Sequence, residues 1–143
     1  MNRMQKMAWW MVGWILAGVV CAGVAFFVFY FKVGMPKAMA GFSFLAIAAM
    51  GAFSPLIFRK DKGAVQCDER DILISRRAAI AGFGAAYLFV GLACMIPFSV
   101  LGPEASISVT WLPLIFTGAF LSSFFVNSLM ILLQYGWKEN KDE

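Results

Sequence analysis

The sequence predicts an all-α membrane protein whose four transmembrane helices form two antiparallel hairpins, with both termini in the cytoplasm. Of its 143 residues, 62% are hydrophobic and only 14% are charged, and the mean hydropathy is +0.79. A soluble domain carries about 25% charged residues, so the composition indicates that lipid is the solvent. Because about 20 apolar residues cross a bilayer, the chain has room for four spans in one domain, residues 1–143, and for no separate soluble domain.

Four uncharged apolar runs define the predicted spans, at residues 7–31, 38–58, 78–101 and 109–135. The linker between the first two is short, with Lys32 and Lys37 at its ends and Pro36 in a position that suits a turn or a first helical residue. It therefore forces an antiparallel hairpin. Residues 102–108 join the last two runs without a basic residue, which predicts a second tight hairpin.

Basic residues fix the predicted orientation. Ten of the 12 Lys and Arg residues lie in the N-terminal tail, the central loop (residues 59–77) and the C-terminal tail, whereas Lys32 and Lys37 lie on the other side. Cytoplasmic loops retain positive charge, so this asymmetry predicts that both termini are cytoplasmic. The net charge of +4 reflects topology and contacts to anionic lipid, and we expect no nucleic-acid partner.

Small residues recur at intervals that allow helices to approach closely. In the third run Ala78, Gly82 and Ala86 are spaced by four, and so are Ala81 and Ala85. Such ridges occur where membrane helices pack, so we expect the third helix to lie at the centre of the bundle.

The apolar runs lack the groups that most membrane chemistry needs. None contains Asp, Glu, Lys, Arg or His, and the chain has no histidine. Ion-coupled carriers and proton pumps normally place an ionisable group at membrane depth, and histidine-ligated haem needs the missing residue. The three cysteines are scattered, with Cys67 in the charged loop, so we expect no metal site, no cofactor and no enzymatic activity.

Polar residues at membrane depth concentrate in the fourth run. Ser123 and Asn127 are four residues apart and therefore share a helix face. They could line an uncharged path for a small substrate, or they could form hydrogen bonds between helices. Small multidrug transporters have this size and helix number, but they carry an acidic residue in the first span, where residues 14–19 here are all apolar.

The charged segment before the third run is the candidate docking surface. Asp68 can cap a helix whose first turn holds Glu69 and Asp71, where the helix dipole favours negative charge. Helix capping and the helix dipole explain the three acidic residues better than a catalytic role does. The helix would then continue into the third span with two arginines at the height of lipid phosphates. The candidate docking residues are Asp68, Glu69, Arg70, Asp71, Arg76 and Arg77.

The triplet Asp68-Glu69-Arg70, followed by Ile72, Ile74 and an alanine-rich span, resembles a motif of small prokaryotic membrane proteins of unknown function. In these families a cytoplasmic Asp-Glu-Arg segment lies between paired hairpins. The resemblance implies the fold, the topology and a location in the prokaryotic cytoplasmic (inner) membrane, but no activity.

Two functional hypotheses follow from these patterns. The first is a non-enzymatic membrane protein that acts by association, as a homo-oligomer or as an accessory subunit of a membrane complex. The second is a small transporter or channel with an uncharged polar path along Ser123 and Asn127.

Overall fold

The computed structural model describes residues 3–35, 37–58 and 69–139, with side chains described up to residue 136. Four helical segments in these ranges are long and apolar enough to cross a bilayer: Arg3–Val33, Lys37–Ile57, Glu69–Leu101 and Trp111–Gly136. We call them the first to fourth spans. The prediction of an all-helical protein with four membrane-spanning helices is confirmed, and it indicates an integral membrane protein.

The first span presents a seam of small and branched residues. Its buried residues recur every three or four positions, at Ala8, Val12, Ile15, Gly18 and Ala22. A Cβ atom added to Gly18 would lie 3.0 Å from the backbone nitrogen of Ala48, and one added to Gly41 would lie 2.6 Å from that of Phe26. The backbones of the first two spans therefore approach so closely that a Cβ atom at Gly41 would force a shift of the neighbouring backbone, and one at Gly18 would be tightly packed.

The second span is wound more tightly than the others. Residues Lys37–Phe53 form a 3₁₀ helix, and Ser54–Ile57 add one α-helical turn. A 3₁₀ helix rises about 2.0 Å per residue, and it stacks side chains that are three residues apart. The buried residues Ala48, Gly51 and Ser54 follow this spacing. All three are small, which reduces the crowding between stacked side chains.

The third span lies at the edge of the bundle. It begins at Glu69 and continues without a break to Leu101, so the helix expected in the charged segment is present. Within the described ranges its backbone approaches that of the fourth span alone, whereas the first span approaches both the second and the fourth. The prediction of a central third span is wrong, because small residues permit a close approach without determining how many helices make it.

One end of the bundle, which we call the base, is closed by a buried cluster. The cluster joins Ala8 of the first span, Ile74 and Ala78 of the third, and Ile131 of the fourth, with Tyr135 packed against it. Its members come from three spans, and they cover one side of the third span near its start. The charged segment is therefore attached to the bundle through the apolar side of its helix.

The first and third spans end at the opposite side, which we call the loop end. Gly34 and Gly102 have φ angles of 74° and 85°, a left-handed conformation that favours glycine. The Gly34 nitrogen donates to the Tyr30 carbonyl at 3.1 Å, and the Gly102 nitrogen donates to the Phe98 carbonyl at 3.0 Å. Each glycine thus closes the last turn of its helix.

Candidate functional site

The helix at the base divides the charged segment between two faces. Glu69, Arg70, Arg76 and Arg77 are exposed, whereas Asp71 is half-buried. Asp68, the predicted cap, lies outside the described residues. Because four residues are exposed and the half-buried acid lies on the other side of the helix, the five described candidates do not form a single surface.

Asp71 has a partner within the chain. The Tyr135 hydroxyl donates a hydrogen bond to a carboxylate oxygen of Asp71, which ties the first turn of the third helix to the end of the fourth. The two residues are 64 positions apart, and no local pattern could have paired them. A hydrogen bond to an ionised group is stronger than one between neutral groups, so Asp71 stabilises the base of the bundle.

A second bond at the base involves Arg3, which the sequence indicated only as a topology signal. Its Nε donates to the Phe58 carbonyl at 2.6 Å, beyond the last turn of the second span. The Trp10 ring packs edge-on against Phe58, with 6.1 Å between ring centroids. Arg3 thus supplies a positive charge and a donor where a helix ends in unpaired carbonyl groups.

The two polar-path candidates face the third span at close range. A Cβ added to Gly82 would lie 2.6 Å from the Ser123 carbonyl oxygen and 3.1 Å from the Asn127 Cβ. Both residues are half-buried. At this depth the third and fourth helices leave no space between Gly82 and the two polar residues.

Cavities open nearer the loop end. A groove of about 590 Å³ lies between the third and fourth spans, in the halves nearer the loop end. Phe89, Ile96 and Trp111 are among its apolar lining residues. A cavity of about 340 Å³ lies between the second and fourth spans and includes Ser43 and Thr117. The hydroxyls of these two residues donate to backbone carbonyls of their own helices. Ser123 and Asn127 line neither cavity.

The described residues leave one long face of the third span uncovered. Tyr87 is 82% exposed and Phe83 is 77% exposed. A Cβ added to Gly84 or Gly91 would meet no described atom within 4 Å, in contrast to one added to Gly82. Gly84 and Gly91 are seven residues apart, almost two helical turns, so they lie on the same side of the helix. This face, which we call the outer face, is defined by Gly84, Tyr87 and Gly91.

Metal-ligating side chains do not gather within the described ranges: no three of His, Cys, Asp and Glu lie close enough there to hold an ion. Cys21 and Cys94 are free and exposed.

Comparisons with protein-family models, curated proteins and solved structures find no match to this chain. The resemblance based on Asp68-Glu69-Arg70 therefore stays a prediction.

Proposed function

We propose that this chain is a non-enzymatic membrane protein that acts by association, and that the outer face of its third span is the association surface. The partner is a second copy or another subunit of a membrane complex. The observation that carries the proposal is the edge position of the third span, whose backbone approaches one neighbour within the described ranges.

Two glycines that are two residues apart show the difference between a covered and an uncovered side of this helix. Gly82 is buried against the fourth span, whereas Gly84 is exposed and has open space around it. Membrane helices associate through van der Waals packing, and small residues let a second backbone approach. Gly84 and Gly91 give the outer face two such positions, with the large side chain of Tyr87 between them.

We place a transport path second among the possible functions. A path along the fourth span needs water-accessible space beside Ser123 and Asn127, and Gly82 occupies that side of the helix. Hydrogen bonding and close packing between helices account for these residues without a substrate.

We further propose two antiparallel hairpins with the base in the cytoplasm of a prokaryotic cell. In support, contacts between the first two spans run in opposite order, with Gly18 near Ala48 and Met11 near Gly51. The ten-to-two distribution of basic residues supports the orientation. A cysteine in place of Glu104 should then react with an impermeant reagent from outside intact cells, and reaction only after lysis would contradict this orientation.

The association surface is tested by Gly84→Leu, with Gly13→Leu as the matched control. Both glycines are exposed, lie in helices and have open space around them, but Gly13 is on the first span. Each protein is purified in mild detergent, and the mass of the complex and its subunit content are determined. We expect the wild type and Gly13→Leu to form a complex larger than one chain, and Gly84→Leu to run as a folded monomer.

A wild-type chain that purifies as a monomer without other subunits would contradict the proposal. So would equal loss of the complex in both variants, since that would reflect a general effect of leucine on membrane helices. Subunit content distinguishes the two kinds of partner, because a homo-oligomer contains multiples of a single chain mass.

A further inference from the structure

We propose that Arg76 and Arg77 bind the phosphate of an anionic phospholipid in the leaflet at the base of the bundle. The proposal concerns the first turns of the third span, below the outer face, and does not depend on association through that face.

Helix length places the two arginines at the depth of lipid headgroups. The third span has 33 residues, and at about 1.5 Å per residue it is about 50 Å long. The hydrocarbon core of a bilayer is about 30 Å thick, so part of the helix extends beyond it. The uncharged part begins at Ala78, directly after Arg77. The guanidinium groups therefore lie just outside the hydrocarbon.

Burial shows which way this turn faces. Ile74 and Ala78, on either side of the pair, are 5% and 0% exposed and pack in the base cluster. Arg76 and Arg77 are exposed, and so are Leu73 and Ile80, one turn before and after them. Two cations and two apolar side chains thus share a surface directed away from the bundle.

The chemistry of this surface fits a lipid. Guanidinium is planar, weakly hydrated and able to donate two parallel hydrogen bonds to a phosphate. Among the described acids of the third span, Asp71 accepts a bond from Tyr135 on the opposite face, and Glu69 lies about 10 Å further along the helix from Arg76. Ile80 would contact the acyl chains that continue from a phosphate bound at the pair.

The test uses the full chain, purified in detergent and incubated with equal amounts of dioleoylphosphatidylglycerol and dioleoylphosphatidylcholine. Native mass spectrometry counts the lipids that each protein retains. The double variant Arg76→Gln/Arg77→Gln is compared with Lys32→Gln/Lys37→Gln, which removes the same charge at the loop end. The variant Arg76→Lys/Arg77→Lys keeps the positive charge but lacks the planar guanidinium group that can donate two parallel hydrogen bonds.

We expect the wild type and the loop-end variant to retain phosphatidylglycerol in preference to phosphatidylcholine. Each basic residue near a charged membrane surface strengthens binding about fivefold, so removal of both in the glutamine variant should weaken binding about 25-fold. The lysine variant should fall between them. Inorganic phosphate should not displace the lipid, because it lacks the acyl chains.

Four results would overturn the proposal: unchanged retention of phosphatidylglycerol by the glutamine variant, equal retention of both lipids by the wild type, an equal loss in the loop-end variant, or displacement of the lipid by inorganic phosphate. If the glutamine variant fails to fold, the lysine variant decides, since unchanged affinity for phosphatidylglycerol relative to the wild type would contradict a role for the guanidinium geometry.

Discussion

The first two spans and the last two spans pack in different ways. In the most apolar stretch of each span, 22% of residues are buried in the first and second, against 6% in the third and fourth. Glycines allow close approach at several levels of the first pair, at Gly18, Gly41 and Gly51. In the second pair the close backbone approach is at Gly82, and an apolar groove opens nearer the loop end.

Side-chain size explains this difference. Small residues occur along the whole contact between the first and second spans, so these two helices remain close from the base to the loop end. In the second pair, the halves of the helices nearer the loop end carry bulky residues such as Phe89 and Trp111, which hold the backbones apart. A small residue brings helices together only where the facing residue permits it, so the length of a close contact depends on both helices.

The largest expected effect comes from adding a methyl group where two backbones meet. Gly41→Ala and Gly82→Ala would each place a Cβ 2.6 Å from a backbone atom of a neighbouring span, and a backbone atom cannot move aside alone. We expect each to lower the free energy of unfolding by about 2 to 3 kcal/mol. The measurement is reversible unfolding in mixed detergent micelles.

Gly13→Ala and Gly23→Ala are the matched controls, because both glycines lie in helices with open space around them and outside the outer face. They should be neutral or slightly stabilising, since alanine is the better helix former. If Gly41→Ala lowered the free energy of unfolding and Gly82→Ala left it unchanged, the third and fourth spans would not pack closely at Gly82. The second pair would then lack the close backbone approach described above.

An intermediate effect is expected for the bond between Tyr135 and Asp71, which fixes the base of the second pair. Tyr135→Phe and Asp71→Ala should each destabilise the chain, and the double-mutant cycle should give a coupling of about 1 kcal/mol. Asp71→Asn keeps an acceptor oxygen and should lose less. Additive effects in the cycle would show that the bond contributes nothing to stability.

A smaller effect is expected at Gly51 in the first pair. A Cβ there would meet the sulfur of Met11, which is a flexible side chain rather than backbone. Gly51→Ala should therefore cost less than about 1 kcal/mol, although the nominal overlap resembles that at Gly41. A cost equal to that of Gly41→Ala would mean that the Met11 side chain is held rigidly, and that the first pair is packed as tightly at Gly51 as at Gly41.

The sequence predicted the number of spans well, because hydropathy over about 20 residues reports directly on the solvent. It did not predict the 3₁₀ helix at Lys37–Phe53. Apolar residues lie on every side of this helix, so the sequence has no polar and apolar periodicity that would indicate the helix type. The edge position of the third span was also missed. Its ridge correctly indicated a close approach at Gly82, but the spacing within one helix does not identify its neighbours.

The candidate site was predicted less completely. The charged segment is the start of a helix, and four of its candidates are exposed. The role of Asp71 was not foreseen, because its partner Tyr135 lies in another helix and the bond depends on how the two pack. We therefore expect substitutions at Asp71 to change stability, so Glu69→Gln and Arg70→Gln are the cleaner tests of docking through this segment.

Photo-crosslinking in native membranes tests the central claim, that the third span associates through its outer face. A photoreactive residue replaces Tyr87 on the third span or, as a control, Phe27 on the first; both are mostly exposed. We predict that position 87 forms one protein adduct of defined mass, which Gly84→Leu abolishes, whereas position 27 labels lipid alone. No protein adduct from position 87, or the same adducts from both positions, would contradict the claim.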